Sequence, residues 1–201
     1  MTKPIASFDK ILVMDSETTG IQRGNCLYPC RGKNGAYYQP ISWGLIVADF
    51  KTLKPIEELY VEIQWDGISI WDNGAQAVHG MSIEYLQKNG VTELEAVEQI
   101  GSLIMEYWGP DNHINILGHN PTFDLAFFSD MFLRYDIDLK ISHRTYDTNT
   151  LGGILLDCYT SDQLFTNMGE PHRDKHNALE DARCSLTAAR KIKILWNTLY
   201  D

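Results

Sequence analysis

The sequence contains no apolar run long enough to cross a bilayer, since a transmembrane helix needs about 20 predominantly apolar residues. Its opening stretch, M-T-K-P-I-A-S-F-D-K, lacks the apolar core of a signal peptide. These two absences predict no membrane association and a cytoplasmic location. Cysteine is sparse, with 4 residues in 201, and only Cys26 and Cys30 lie close together. No second ligand pair stands at metal-like spacing, so neither a zinc module nor a disulfide framework is expected. Positive charge is also short: 17 Lys and Arg against 27 Asp and Glu leave a net charge of −10. That balance excludes a protein that holds long nucleic acid through a broad basic surface. It leaves open one that grips only a chain end, where bound divalent cations supply the positive charge. No appended polymerase or helicase segment is visible.

What is present is an ordinary globular composition, 44% hydrophobic and 22% charged. It predicts a single domain over residues 1–201, with an extended loop at about 21–40. The chain is organised around residues 11–20, I-L-V-M-D-S-E-T-T-G. Four consecutive apolar residues suit a strand covered on both faces by helices. Asp15 and Glu17 follow two residues apart, so on extended backbone they project to the same side. Such a pair either solvates a strand end and caps a turn, or binds metal. In the loop at 21–40, Arg23, Arg31 and Lys33 alternate with Tyr28, Tyr37 and Tyr38 among Gly, Pro and Asn residues. It reads as a turn-rich connection lying near the carboxylates, although basic and aromatic groups together also suit phosphates and bases.

Residues 41–50 and 59–65 read as strands separated by a turn at 51–55, giving an antiparallel opening to a mixed sheet. The segment A-Q-A-V-H-G-M-S at 75–82 leads into helical patterns at 83–88 and 92–108. In the second, Leu94, Val97, Ile100, Ile104 and Trp108 recur at helical spacing and predict a core-facing stripe. Residues 114–120 alternate as a strand ending in His119 and Asn120; Pro121 and Thr122 then open a helix. Asp124 falls in the first turn of that helix, where the helix dipole alone would favour a carboxylate. Residues 144–157 predict a short strand and a helix capped by Asp147 or Thr148. The last segment, 176–199, opens H-N-A-L-E-D with Asn177 and Glu180 at capping-box spacing. Its apolar face is read as Ala178, Ala182, Leu186, Ala189 and Trp196. His176 then lies on the loop before the helix, from which it can swing over Asp181 in the first turns.

Together D-S-E-T-T-G at 15–20, H-N-P-T-F-D at 119–124 and H-N-A-L-E-D at 176–181 resemble the motifs of the DEDDh 3′-to-5′ exonuclease family. That group includes polymerase proofreading subunits, ribonuclease T and oligoribonuclease. The motifs fall in family order across almost the whole chain, and A-V-H-G-M-S resembles a further family segment. The resemblance implies an α/β, ribonuclease H-like fold, with a mixed five-stranded sheet flanked by helices. It implies a metal-dependent 3′-to-5′ exonuclease that releases nucleoside monophosphates from the 3′ end of single-stranded DNA. Asp15, Glu17, Asp124 and Asp181 would hold two divalent cations, Mg²⁺ or Mn²⁺, and His176 would be the general base. Phosphodiester hydrolysis suits such a set, because two cations stabilise both the attacking and the leaving oxygen, and hard oxygen ligands favour these ions. Thr18, Thr19, Ile21 and His79 would contact the terminal nucleotide; His119 would be structural or support the site, and His172 would lie at the surface. The E-T-T-G wording is closer to the DNA-proofreading branch. An exoribonuclease acting on short RNA or RNA 3′ tails remains an alternative, as does a non-catalytic subunit that binds nucleic acid or a polymerase. A polymerase or a second copy of the chain is the protein partner this reading leaves open.

Overall fold

The computed structural model describes residues 9–21, 37–170 and 174–200. Most of the 21–40 loop, with Arg23, Cys26, Tyr28, Cys30, Arg31 and Lys33, therefore lies outside the described residues, as does His172.

The first strand, β1 (Lys10–Thr18), runs beyond its apolar segment, so Asp15 and Glu17 lie within the strand rather than after it. The strands β2 (Pro40–Asp49) and β3 (Pro55–Glu62) complete an antiparallel meander. β3 starts and ends earlier than its sequence pattern indicates. Three helices follow, α1 (Asn73–His79), α2 (Ile83–Asn89) and α3 (Glu93–Trp108), before β4 (Ile114–Gly118) joins β1 in parallel. Then come α4 (Pro121–Leu133), β5 (Ile141–Asp147) parallel to β4, α5 (Thr148–Leu156), α6 (Ser161–Asn167) and α7 (Ala178–Tyr200). The result is one mixed five-stranded sheet in the order β3-β2-β1-β4-β5 with helices on both faces.

The alternation of β1 distributes two cores. Leu12 and Met14 face α3 and α4, where they pack in one cluster with Trp43, Phe127, Phe128 and Phe132. Ile11 and Val13 face the other way, onto Ala182, Leu186 and Ala189 of α7. All four β1 residues are fully buried, as a strand covered on both faces requires. Two apolar readings need correction. Leu94 and Trp196 are 47% and 51% exposed: Leu94 lies in the first turn of α3, where the buried stripe begins only at Ala96, and Trp196 lies beyond the part of α7 that covers the sheet.

Gly44 of β2 brings α7 onto the sheet. It pairs with Asp15 across the β1–β2 ladder. A side-chain carbon at Gly44 would lie 2.2 Å from backbone atoms of Ala178 and Leu179. Ordinary carbon contacts need about 3.5 Å, so only glycine lets the first turn of α7 lie this close to the strand beside Asp15.

Candidate active site

The edge of the sheet at the end of β1 carries most of the residues singled out by the motifs. Asp15, Ser16, Glu17, His119, Asn120, Phe123, Asp124, Ser161, Phe165, His176 and Asp181 line one cleft of about 210 Å³. Three elements deliver the carboxylates: β1 supplies Asp15 and Glu17, the first turn of α4 supplies Asp124, and the first turn of α7 supplies Asp181. Glu17, Asp124 and Asp181 are buried, at 7%, 3% and 5% exposure.

On the α7 side, Glu17, His176 and Asp181 each offer a donor atom, and the three atoms lie within 4.8 Å of one another. His176 stands on the loop before α7, and its Nδ1 is 3.1 Å from Asp181 Oδ2. A carboxylate only accepts, so Nδ1 carries the hydrogen in the neutral ring and the lone pair lies on Nε2. Two features hold this loop. Asn177 Oδ1 accepts the Leu179 and Glu180 N–H groups at 3.1 and 3.2 Å, capping α7. The His176 N–H donates to Val78 O at 3.2 Å, and the Lys175 ammonium donates to Ala77 O, tying the loop to the C-terminal end of α1. Glu180, which capping-box spacing would turn back towards Asn177, pairs with Arg183.

Asp124 approaches from the opposite face. Its carboxylate accepts the Ser16 hydroxyl at 2.6 Å through Oδ1. Burial pushes its pKa up to about 7, against the lowering effect of hydrogen bonds from Ser16 and from its own N–H. The turn that launches α4 is tight: Asn120 takes the left-handed conformation at φ 57°, which asparagine tolerates better than most residues. Its N–H donates to Asp147 Oδ1 at 2.8 Å. Asp147 also caps α5 through the Asn149 and Thr150 N–H groups, so it serves as the expected cap.

His119 lines the cleft, with its ring edge-on to Phe165 and Nδ1 3.2 Å from the Thr148 hydroxyl. Burial lowers its pKa, opposed by Asp147. The four residues expected at the terminal nucleotide are placed very differently. Thr19 is fully buried and closes a knot: its N–H donates to Gln39 O, its Oγ accepts the Gln39 N–H, and its carbonyl accepts the Asp72 N–H. The Thr18 hydroxyl donates to Gly20 O at 2.9 Å. Ile21 is 49% exposed beside this turn. His79 is buried, its ring edge-on to Trp71, and it is not among the residues lining the cleft. Its Nδ1 accepts the Met81 N–H, and burial drives its pKa down to about 4.

Sequence reasoning missed the wall formed by Ser161 and Phe165 of α6, and also Phe123 and Ser16. One signal for α6 was legible: Thr160 and Gln163 stand at capping-box spacing, and the Thr160 hydroxyl does cap the Gln163 N–H.

A donor set of four carboxylates, Asp15, Glu17, Asp124 and Asp181, fits hard divalent cations. Carboxylates gathered in one buried cleft repel one another unless cations or protons neutralise them. The residues present therefore fit a divalent metal centre.

No family model matches the sequence, and no curated protein matches it. Solved structures do. E. coli exonuclease I, in a zinc-bound complex with single-stranded DNA, superposes with a TM-score of 0.75 at 19% identity, over 96% of this chain and 42% of that one. The same enzyme with a dT13 oligonucleotide gives 0.74 at 18% identity, over 96% and 43%. A moderately thermophilic exonuclease I from Methylocaldum szegediense gives 0.69 at 18%, over 92% and 40%. The chain thus spans less than half the length of these proteins. Within that span it has the ribonuclease H-like α/β fold of the exonuclease I structures, as the three motifs imply.

Proposed function

We propose that this chain is a metal-dependent 3′-to-5′ exonuclease acting on single-stranded DNA. The observation that carries the reading is the meeting of Glu17, His176 and Asp181 within 4.8 Å, in a cleft that Asp15 and Asp124 also line. Asp15, Glu17, Asp124 and Asp181 would hold two divalent cations, Mg²⁺ or Mn²⁺. When bound, such ions stabilise charge on the attacking and leaving oxygens of a phosphodiester.

His176 is the general base. Asp181 fixes the ring with its hydrogen on Nδ1, and Nε2 takes the proton of the attacking water. An imidazole is the side chain best suited to proton transfer close to neutrality. The turn after Glu17 receives the terminal nucleotide, with Ile21 against the base and Thr18 near the sugar. Thr19 and His79, both buried, act as supports of that turn and of α1. Substrate choice follows the exonuclease I structures, which were solved with single-stranded DNA. The net charge of −10 is consistent with a short footprint in which the cations, rather than a basic surface, meet the phosphate.

The test is hydrolysis of 3′-labelled and 5′-labelled single-stranded DNA with Mg²⁺ or Mn²⁺, with EDTA, and with the Asp15→Ala variant. Release of mononucleotides from the 3′ end should require metal and disappear in the variant. Intact DNA under both metals, with a matched RNA degraded, would replace the DNA reading with an exoribonuclease. If both polymers stay intact, the chain is a binding subunit.

A further inference from the structure

We propose that Ser16 is a positioning residue that holds Asp124 in register with Asp15 and Glu17, and that the affinity for one of the two cations depends on its hydroxyl. This rests on the nuclease reading above.

The strand itself creates the problem that Ser16 solves. Because side chains alternate along β1, Asp15 and Glu17 share the face of Ile11 and Val13, which packs on α7. Asp124 arrives on the other face, from α4, whose residues pack with Leu12 and Met14. One metal centre must draw carboxylates from both faces. Ser16, the residue between Asp15 and Glu17, points to the α4 face and meets Asp124 there.

The sheet leaves room for this contact. β4 pairs with β1 through Leu12↔Ile116 and Val13↔Leu117, and ends at Gly118. Beyond that point β1 continues to Thr18 while β4 has given way to the turn into α4. Asp124 occupies the space the ladder vacates. It accepts the hydroxyl of Ser16 at 2.6 Å. Ser16 is 8% exposed and Asp124 3%, so little water is at hand to replace the hydroxyl. Gly118 allows the close approach, since a side-chain carbon there would lie 2.9 Å from Met14 O and 3.2 Å from Pro121. The covalent position of Ser16 between the two β1 carboxylates then makes one hydrogen bond fix all three groups relative to each other.

Partners that orient a metal-ligating carboxylate are typically worth about 10–100-fold in metal affinity. The experiment is a calorimetric titration of Mn²⁺ into the full chain without nucleic acid, for wild type, Ser16→Ala, Ser16→Thr and Asp124→Asn, with thermal melting in EDTA alongside. Wild type should take up two ions. Ser16→Ala should weaken one of them by about 10–100-fold and leave the other unchanged; Asp124→Asn should lose that same ion, and Ser16→Thr should restore it. Should Ser16→Ala fail to fold, Ser16→Cys serves in its place, because a thiol fills the site but donates only a weak hydrogen bond. Two ions bound as in wild type by a variant that merely melts lower would overturn the proposal, as would equal weakening of both ions. A wild-type chain that takes up no Mn²⁺ rejects the nuclease reading itself, a distinguishable result.

Discussion

Gly44→Ala probes whether the close seating of α7 on the sheet builds the active site. The new methyl would start 2.2 Å from the Ala178 carbonyl and the Leu179 nitrogen. Those are backbone atoms of the turn that carries Asp181, and no rotamer change can move them aside. Relief needs a withdrawal of roughly 1 Å or more to reach ordinary contact. Overpacking of this kind costs about 1–3 kcal/mol, offset by about 0.5–1 kcal/mol because alanine is favoured over glycine within an element. For a chain of this size each 1 kcal/mol lowers the melting temperature by about 2–4 °C. Activity should suffer far more than stability, because a shift of about 1 Å in catalytic groups costs on the order of 100-fold in rate. The assay is metal-dependent release of mononucleotides from single-stranded DNA, with melting of the same sample. A variant that melts slightly low and cuts about 100-fold more slowly supports the geometry. Wild-type turnover with wild-type melting would show that α7 does not rest on Gly44, and the site as described would fall with it.

His176→Ala should lower turnover by about 100-fold or more while Mn²⁺ binding is largely kept; an unchanged single-turnover rate would remove it from the role of base. The pH dependence of metal-free stability has two opposing parts. His79, with its pKa lowered to about 4 from an unfolded value near 6.5, stabilises the fold above pH 6.5. That contribution, on the order of 3 kcal/mol, is lost as the pH falls from about 6.5 towards 4. Asp124, raised to about 7, acts with the opposite sign: its burial penalty is present above pH 7 and is relieved as the pH falls through 7 towards the unfolded carboxyl range. Asp124→Asn should therefore lose stability more steeply than wild type between pH 6.5 and 4 in EDTA. Equal slopes in urea denaturation would contradict the Asp124 assignment, and a stability that does not fall between pH 6.5 and 4 in Asp124→Asn would contradict that of His79.

The sequence by itself determined the local elements that chemistry needs. An apolar run ending in D-S-E makes a buried strand with paired carboxylates, H-N-P-T-F-D makes a strand, a turn and a helix start, and H-N-A-L-E-D makes a capped helix preceded by a loop histidine. Each signal is short-range: alternation, a proline at the first helical position, an asparagine cap. It also gave the antiparallel opening of the sheet and, through the motifs, the fold that the exonuclease I structures share. Only the tertiary structure decided which face each group occupies. That Asp124 meets Ser16 across 108 residues of chain, that Gly44 seats α7 beside Asp15, and that Phe165 closes the cleft depend on strand order and on which helix covers which side. No local pattern encodes those, because they arise from packing between segments far apart in sequence. For the same reason no local pattern shows that Thr19 is fully buried in a knot with Gln39 and Asp72, and Trp196, at helical spacing with a buried face, stands exposed once α7 has run past the sheet.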